Sequence, residues 1–142
     1  LRSWLPDVVG GVYYLSLDNP YFSPYVPIYC GNLSVHPSYQ DYDPRRFSEK
    51  SARWAIDFVD NLANLAFQPI SGEVRAVRDP WEQKIWAEMP MLEEKAVALA
   101  GKSIPRARRF LTEYCNERMA AVVPMFRHLR EEILVHHTNN LE

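Results

Sequence analysis

Only two stretches of this 142-residue chain read as β-strand, and two short strands do not make a stable sheet by themselves. They are VYYLSL and YVPIYC, near residues 12–17 and 25–30, joined by a link crowded with proline and aromatic residues. Gly10-Gly11 precedes the first and reads as a turn that needs positive φ. Asp18-Asn19-Pro20 is a turn signal. Pro27 stands inside the second run; proline cannot donate to a ladder, so it marks an edge, a bulge or a strand end. Helices can close over one face of such a ribbon, but its other edge and face need partners.

The rest of the pattern is helical. GNLSVHPSYQDYDP, from Gly31 to Pro44, is polar and turn-rich and reads as loop. Ser48 is a candidate N-cap, followed by Trp54, Ala55, Phe58, Val59, Leu62, Leu65 and Ala66 at three- and four-residue steps. This helix is expected to end near Phe67, ahead of Pro69. Ser71 can cap a second helix, with a stripe through Val74, Val77, Trp81, Ile85, Met89, Leu92, Ala96 and Leu99, kinked or broken at Pro80 and Pro90 and stopped by Gly101. A third carries Pro105 in its first turn and a stripe through Leu111, Tyr114, Cys115, Arg118, Val122, Phe126, Leu129 and Ile133, bent at Pro124. The expected class is α+β: a short antiparallel β ribbon followed by three amphipathic helices, the last two a long kinked antiparallel hairpin. Residues 1–140 form one segment, with strands and loop in 1–46 and helices in 47–140. The final Leu141-Glu142 extends no apolar pattern and looks like a scar left by an expression vector.

A net charge of −2 offers no bulk attraction to nucleic acid or an anionic membrane, and no apolar run is long enough to span a bilayer. The basic clusters Arg45-Arg46 and RARR at 106–109 read as solvated faces. Two cysteines, Cys30 and Cys115, are too few for a disulfide framework and fit no zinc spacing. Cys30 could meet His36, six residues on, as a thiol–base pair, although buried packing is the commoner fate of a free cysteine. Cys115 reads as core. Adjacent His136 and His137 point to different sides of a helix, and Asp41, Asp43, Asp57 and Asp60 follow no calcium-loop spacing. Neither a metal nor a cofactor is expected. The aromatics Trp4, Tyr13, Tyr14, Tyr21, Phe22, Tyr25 and Tyr29 are expected to pack between sheet and helix.

The order R-x-W-L-P, GG-V-Y-Y, NPYFSPYVPIYCG and SARWAIDFVDNLANLAF, followed by a helical pair containing LEEKAVALA and ARRFLTEYCNERMAAVVPMFRHL, resembles the C-terminal part of the cysteine dipeptidases of the dipeptidase A type. These are N-terminal-nucleophile hydrolases, related more distantly to secernins, penicillin V acylases and bile-salt hydrolases. The similarity runs through roughly residues 1–134. It implies the C-terminal piece of an αββα sandwich and a dipeptide substrate. It also implies a nucleophile at the start of a mature chain, where one cysteine supplies both thiol and α-amine. Both cysteines here are internal, so that nucleophile is expected upstream of Leu1, and the 142-residue chain is expected to be inactive alone. Arg2 occupies the place of a late arginine near the nucleophile in the acylase relatives, where it would stabilise a thiolate. Trp54 and Tyr29 read as core. The expected partners are the remainder of a parent chain and, through open strand edges, further copies of this one. The alternative from a different class is a complete, non-enzymatic helical interaction module with a small β ribbon.

Overall fold

The computed structural model describes residues 2–138; Leu141-Glu142, read above as a vector scar, lie outside them. A four-residue helical turn, α1 (Asp7–Gly10), leads into β1 (Val12–Leu15) and β2 (Val26–Tyr29). A 3-10 turn at Pro37–Tyr39 interrupts the loop that follows. Four helices complete the element order: α2 (Ala52–Ala63), α3 (Phe67–Ala100), α4 (Ile104–Ala120) and α5 (Val122–Thr138). The strands pair antiparallel, Val12 opposite Tyr29 and Leu15 opposite Val26. The class is α+β: a two-stranded ribbon, a helical body and a bent C-terminal hairpin.

The core lies where α2 meets α5, α3 meets α4, and β2 rests on α4. Phe22, Val26 and Tyr29 of the ribbon region are buried with Ile56, Ile85, Leu111 and Phe126 of the helices. Phe22 is held by the Asn19 turn: Asn19 O accepts from the Phe22 and Ser23 N–H groups, and Ser23 Oγ accepts from Asp18 N–H. Of the seven aromatics expected between sheet and helix, however, Trp4, Tyr13, Tyr14 and Tyr21 are exposed.

Several helix ends fall elsewhere than the sequence suggests, each for a local reason. Ser51, not Ser48, caps α2, its Oγ accepting from Trp54 N–H at 3.2 Å. Ser48 instead donates to Asp41 Oδ2 at 2.6 Å. Helix α2 stops at Ala63, and Pro69 falls in the first turn of α3, where a missing N–H has no intrahelical partner to lose. Ser71, four residues past the new start, lies inside α3 and bonds back to Phe67 O. Helix α3 continues through Pro80 and Pro90 without a break. Both prolines and the carbonyl-bearing residues one turn before them, Ala76 and Trp86, are exposed, so water can satisfy the freed acceptors. Pro124 does divide its helix. It cannot donate to Ala120 O, and the helix changes course at Ala121, with α5 starting at Val122.

Two residue-level expectations also change. The buried stripe of α2 is Ala52, Ile56, Val59 and Ala63, whereas Trp54 is half-buried on another face, its Nε1–H donating to Asp43 O at 3.1 Å. Tyr29 is core as expected. No described glycine has positive φ. Gly10 closes α1 and Gly11 is extended, and glycine serves close approach there: a Cβ on Gly10 would lie 3.0 Å from Arg2 O, and one on Gly11 would make Cys30 Sγ turn aside. Gly31 answers the same need, since its Cβ would lie 2.8 Å from Val8 O.

Candidate functional site

The chain folds back on itself at once. Arg2 N–H donates to Gly10 O at 2.9 Å and Leu5 N–H to Arg2 O at 3.0 Å, so α1 and the residues before it form a closed loop, with α1 resting on α3, α4 and β2. This loop turns the Arg2 side chain toward the middle of α3. There Nη1–H donates to Glu93 Oε2 at 2.6 Å and Nη2–H to Glu93 Oε1 at 2.9 Å, a two-pronged pair that fixes the guanidinium plane. Nη2–H also donates to Val9 O at 3.2 Å.

Glu93 is shared with the ribbon. Tyr29 O–H donates to its Oε1 at 2.8 Å, and one turn earlier on α3 Tyr14 O–H donates to Met89 Sδ at 3.4 Å. Tyr14 also meets Trp86 edge-on, with ring centroids 6.4 Å apart. Cross-strand pairing places Tyr14 opposite Pro27 and Tyr29 opposite Val12, on one face of the ribbon. That face therefore looks onto α3 at Trp86, Met89 and Glu93, spaced at helical steps.

The electrostatics follow from this geometry. Burial raises the Glu93 carboxyl pKa, but the bonds from Arg2 and Tyr29 outweigh it, and the net shift is downward. The Tyr29 phenol is raised by burial and by the Glu93 carboxylate. Arg2 is raised, chiefly by its bond to Glu93. The cluster at neutral pH is thus a fixed guanidinium–carboxylate pair with a protonated tyrosine. Three of the five N–H donors of Arg2 are engaged by described residues, and Nε–H and one Nη1–H are left to reach another group.

The remaining sequence candidates are not brought together. His36 Nδ1 lies 2.8 Å from Ser38 Oγ and accepts from Ser38 N–H, which commits the ring to its own turn; no bond joins it to Cys30 among the described residues. Cys115 is fully buried, and burial pushes its thiol pKa up to about 11, so it is protonated and inert at neutral pH. His136 and His137 both meet Glu73 of α3 and clamp the end of α5 to it. No group of three metal-ligating side chains is present among the described residues, and no described helix is long and apolar enough to cross a membrane. Glu93 is the site residue that sequence reasoning misses. It sits in LEEK, one step off the apolar stripe at Leu92, and nothing local separates it from a solvated glutamate.

Of the motifs with the most distinctive order, R-x-W-L-P, GG-V-Y-Y and the tyrosine of PIYCG supply this cluster, whereas SARW caps and opens α2 elsewhere. The model of Peptidase family C69 matches residues 1–79, which is more than half of the chain and contains all of them. The chain belongs to peptidase family C69. It is 31% identical over 104 residues to "Probable dipeptidase B" of Streptococcus pyogenes serotype M1, an alignment covering 72% of this chain and 18% of that protein. A second "Probable dipeptidase B", from S. pyogenes serotype M18 (strain MGAS8232), is 32% identical over 98 residues, covering 68% and 17%. The C69 chain thus spans less than a fifth of the length of these curated relatives. No solved structure matches it.

Proposed function

We propose that this chain is the C-terminal portion of a cysteine-type dipeptidase, closing an αββα sandwich whose nucleophile is supplied by sequence upstream of Leu1. The observation that carries the reading is the C69 match over residues 1–79 in a chain aligned to less than a fifth of two dipeptidase relatives. In the mechanism the family resemblance implies, an N-terminal thiolate attacks the dipeptide carbonyl, and its own α-amine takes the thiol proton and returns it to the leaving amine. Water then hydrolyses the thioester.

Arg2 is the residue of this chain assigned to that chemistry. Glu93 and Val9 O hold its guanidinium in one orientation, and its unengaged donors would face the thiolate and stabilise the charged form. The test uses the full-length enzyme. Arg2→Gln raises the thiol pKa, so the rising limb of the kcat/KM–pH profile moves to higher pH. An unmoved limb removes Arg2 from the mechanism. The isolated 142-residue chain is inactive on dipeptides, and cysteine-dependent turnover by it would refute the assignment of the nucleophile to another part of the protein. The isolated chain also self-associates through its open strand edge; a strictly monomeric species at high concentration counts against that edge being adhesive.

A further inference from the structure

The two outer edges of the ribbon are built differently. Cys30 N–H donates to Gly11 O at 2.9 Å, which makes Gly11 and Cys30 a hydrogen-bonded pair and fixes the alternation along the ladder. Tyr25, Pro27 and Tyr29 of the β2 side then point their backbone groups outward, away from β1. Every N–H donor among them is accounted for. Tyr25 N–H donates to Glu82 Oε1 at 2.8 Å and Tyr29 N–H to Asn32 Oδ1 at 3.0 Å, while Pro27 has none to offer. This edge is closed by proline and by side-chain caps, the usual means of preventing further pairing.

By the same alternation, Val12, Tyr14 and Ser16 point their backbone groups outward from β1. None of their N–H or C=O groups has a partner outside the ribbon among the described residues. The strand carries no charge, no proline and no bulge to discourage pairing, and Tyr13 beside this edge is 64% exposed. A ribbon with one edge closed and the other left bare is a ribbon with a specified place for one more strand.

We infer that the outer edge of β1 is an acceptor for a β-strand, and that the strand comes from the remainder of the full-length C69 chain. This rests on the reading that the chain is one portion of a longer peptidase, whose relatives are more than five times its aligned length. The incoming strand pairs with Val12, Tyr14 and Ser16 and extends the sheet on the β1 side alone.

Amide hydrogen exchange compares the isolated chain, at dilution where it is monomeric, with the full-length protein. In the isolated chain Val12 and Tyr14 exchange rapidly while Tyr13, bonded inside the ribbon, is slower. In the full-length protein Val12 and Tyr14 slow by at least about 100-fold. Tyr14→Pro and Tyr14→Ala supply the second readout, since both remove the side chain but only proline removes the outward N–H. The two variants unfold alike as isolated chains, and in the full-length protein Tyr14→Pro is clearly the less stable. Fast exchange at Val12 and Tyr14 in the full-length protein, or equal stability of the two variants there, overturns the inference. Dipeptidase activity is measured separately. An inactive full-length protein with slowed amides refutes the functional reading and leaves the strand acceptor standing; an active protein with fast amides does the reverse.

Discussion

Glu93→Ala is the sharpest test of the architecture, because one carboxylate holds the N-terminal loop, the ribbon and α3 together. Its loss removes two charge-assisted bonds from Arg2 and the acceptor of the Tyr29 hydroxyl. The Arg2 side chain is 32% exposed, so water recovers part of its loss, but Tyr29 is 2% exposed and its hydroxyl is left with little solvent to turn to. A stranded buried hydroxyl costs about 1–3 kcal/mol and a charge-assisted bond contributes about 1.5–3 kcal/mol before solvent compensation. After discounting the arginine for solvent, the sum is about 3 kcal/mol. A domain of this size loses roughly 3–4 °C per kcal/mol, so Tm falls by about 10 °C. Arg2→Ala removes only the solvent-assisted part and leaves Tyr29 its acceptor, so it loses about half as much. The sign with pH is set by Glu93, whose pKa lies below its ordinary value in the folded state. Its contribution is present above the unfolded carboxylate pKa and disappears as pH falls through the folded one. The gap between wild type and Glu93→Ala therefore closes in acid. Calorimetry of both variants at neutral and acid pH decides it: a Glu93→Ala loss no greater than that of Arg2→Ala refutes the claim that Glu93 is shared.

Other outcomes follow from single contacts. Ser51→Ala loses the cap of α2 and about 1 kcal/mol in denaturant unfolding, whereas Ser48→Ala changes stability far less. A thiol reagent modifies exposed Cys30 in the native chain and reaches Cys115 only on unfolding, in keeping with a thiol raised to about 11. The contact between His136 and Glu73 is strongest in mildly acid solution. His136 is raised by that contact, so its contribution is lost as pH rises through the folded histidine pKa; Glu73 is lowered despite its burial, so its contribution is lost as pH falls through the folded carboxylate pKa. Amide exchange in the last turn of α5 traces this, and Glu73→Gln flattens it.

The elements that sequence reasoning locates best are those written as periodicity. Ile85, Met89, Leu92 and Ala96 of one stripe, and Leu111, Cys115, Phe126 and Ile133 of the other, are buried along helices as read, whereas Val77 is exposed and Tyr114 and Arg118 are half-buried at the stripe margins. Proline is harder to read because its effect depends on what the preceding turn can do instead. Pro80 and Pro90 leave exposed carbonyls to water and the helix persists, whereas Pro124 ends one helix and opens the next. Capping is ambiguous for a similar reason. Ser48 and Ser51 are equivalent as letters, and their partners separate them: Ser48 Oγ is engaged by Asp41 and Lys50 N–H, Ser51 Oγ by Trp54 N–H. Glu93 was out of reach because its partners lie 91 and 64 residues away. Of the candidate cluster, the sequence singles out Arg2 only through resemblance, reads Tyr29 as core, and does not mark the carboxylate joining them at all.

The distribution of motif residues carries one more consequence. Several letters in the matched region do structural work that the described contacts explain. Pro6 precedes α1, Gly11 and Gly31 permit close approach, Asn19 and Ser23 set the turn that buries Phe22, and Ser51 caps α2. Arg2 differs from these because a structural anchor alone could have been made by lysine. The two-pronged bond to Glu93 fixes a plane as well as a charge, which a lysine point charge cannot do. Arg2→Lys in the full-length protein thus separates the roles. A retained Tm with a shifted pH–rate limb means that the oriented plane serves the proposed thiolate; a lowered Tm with an unmoved limb means that it serves the loop alone.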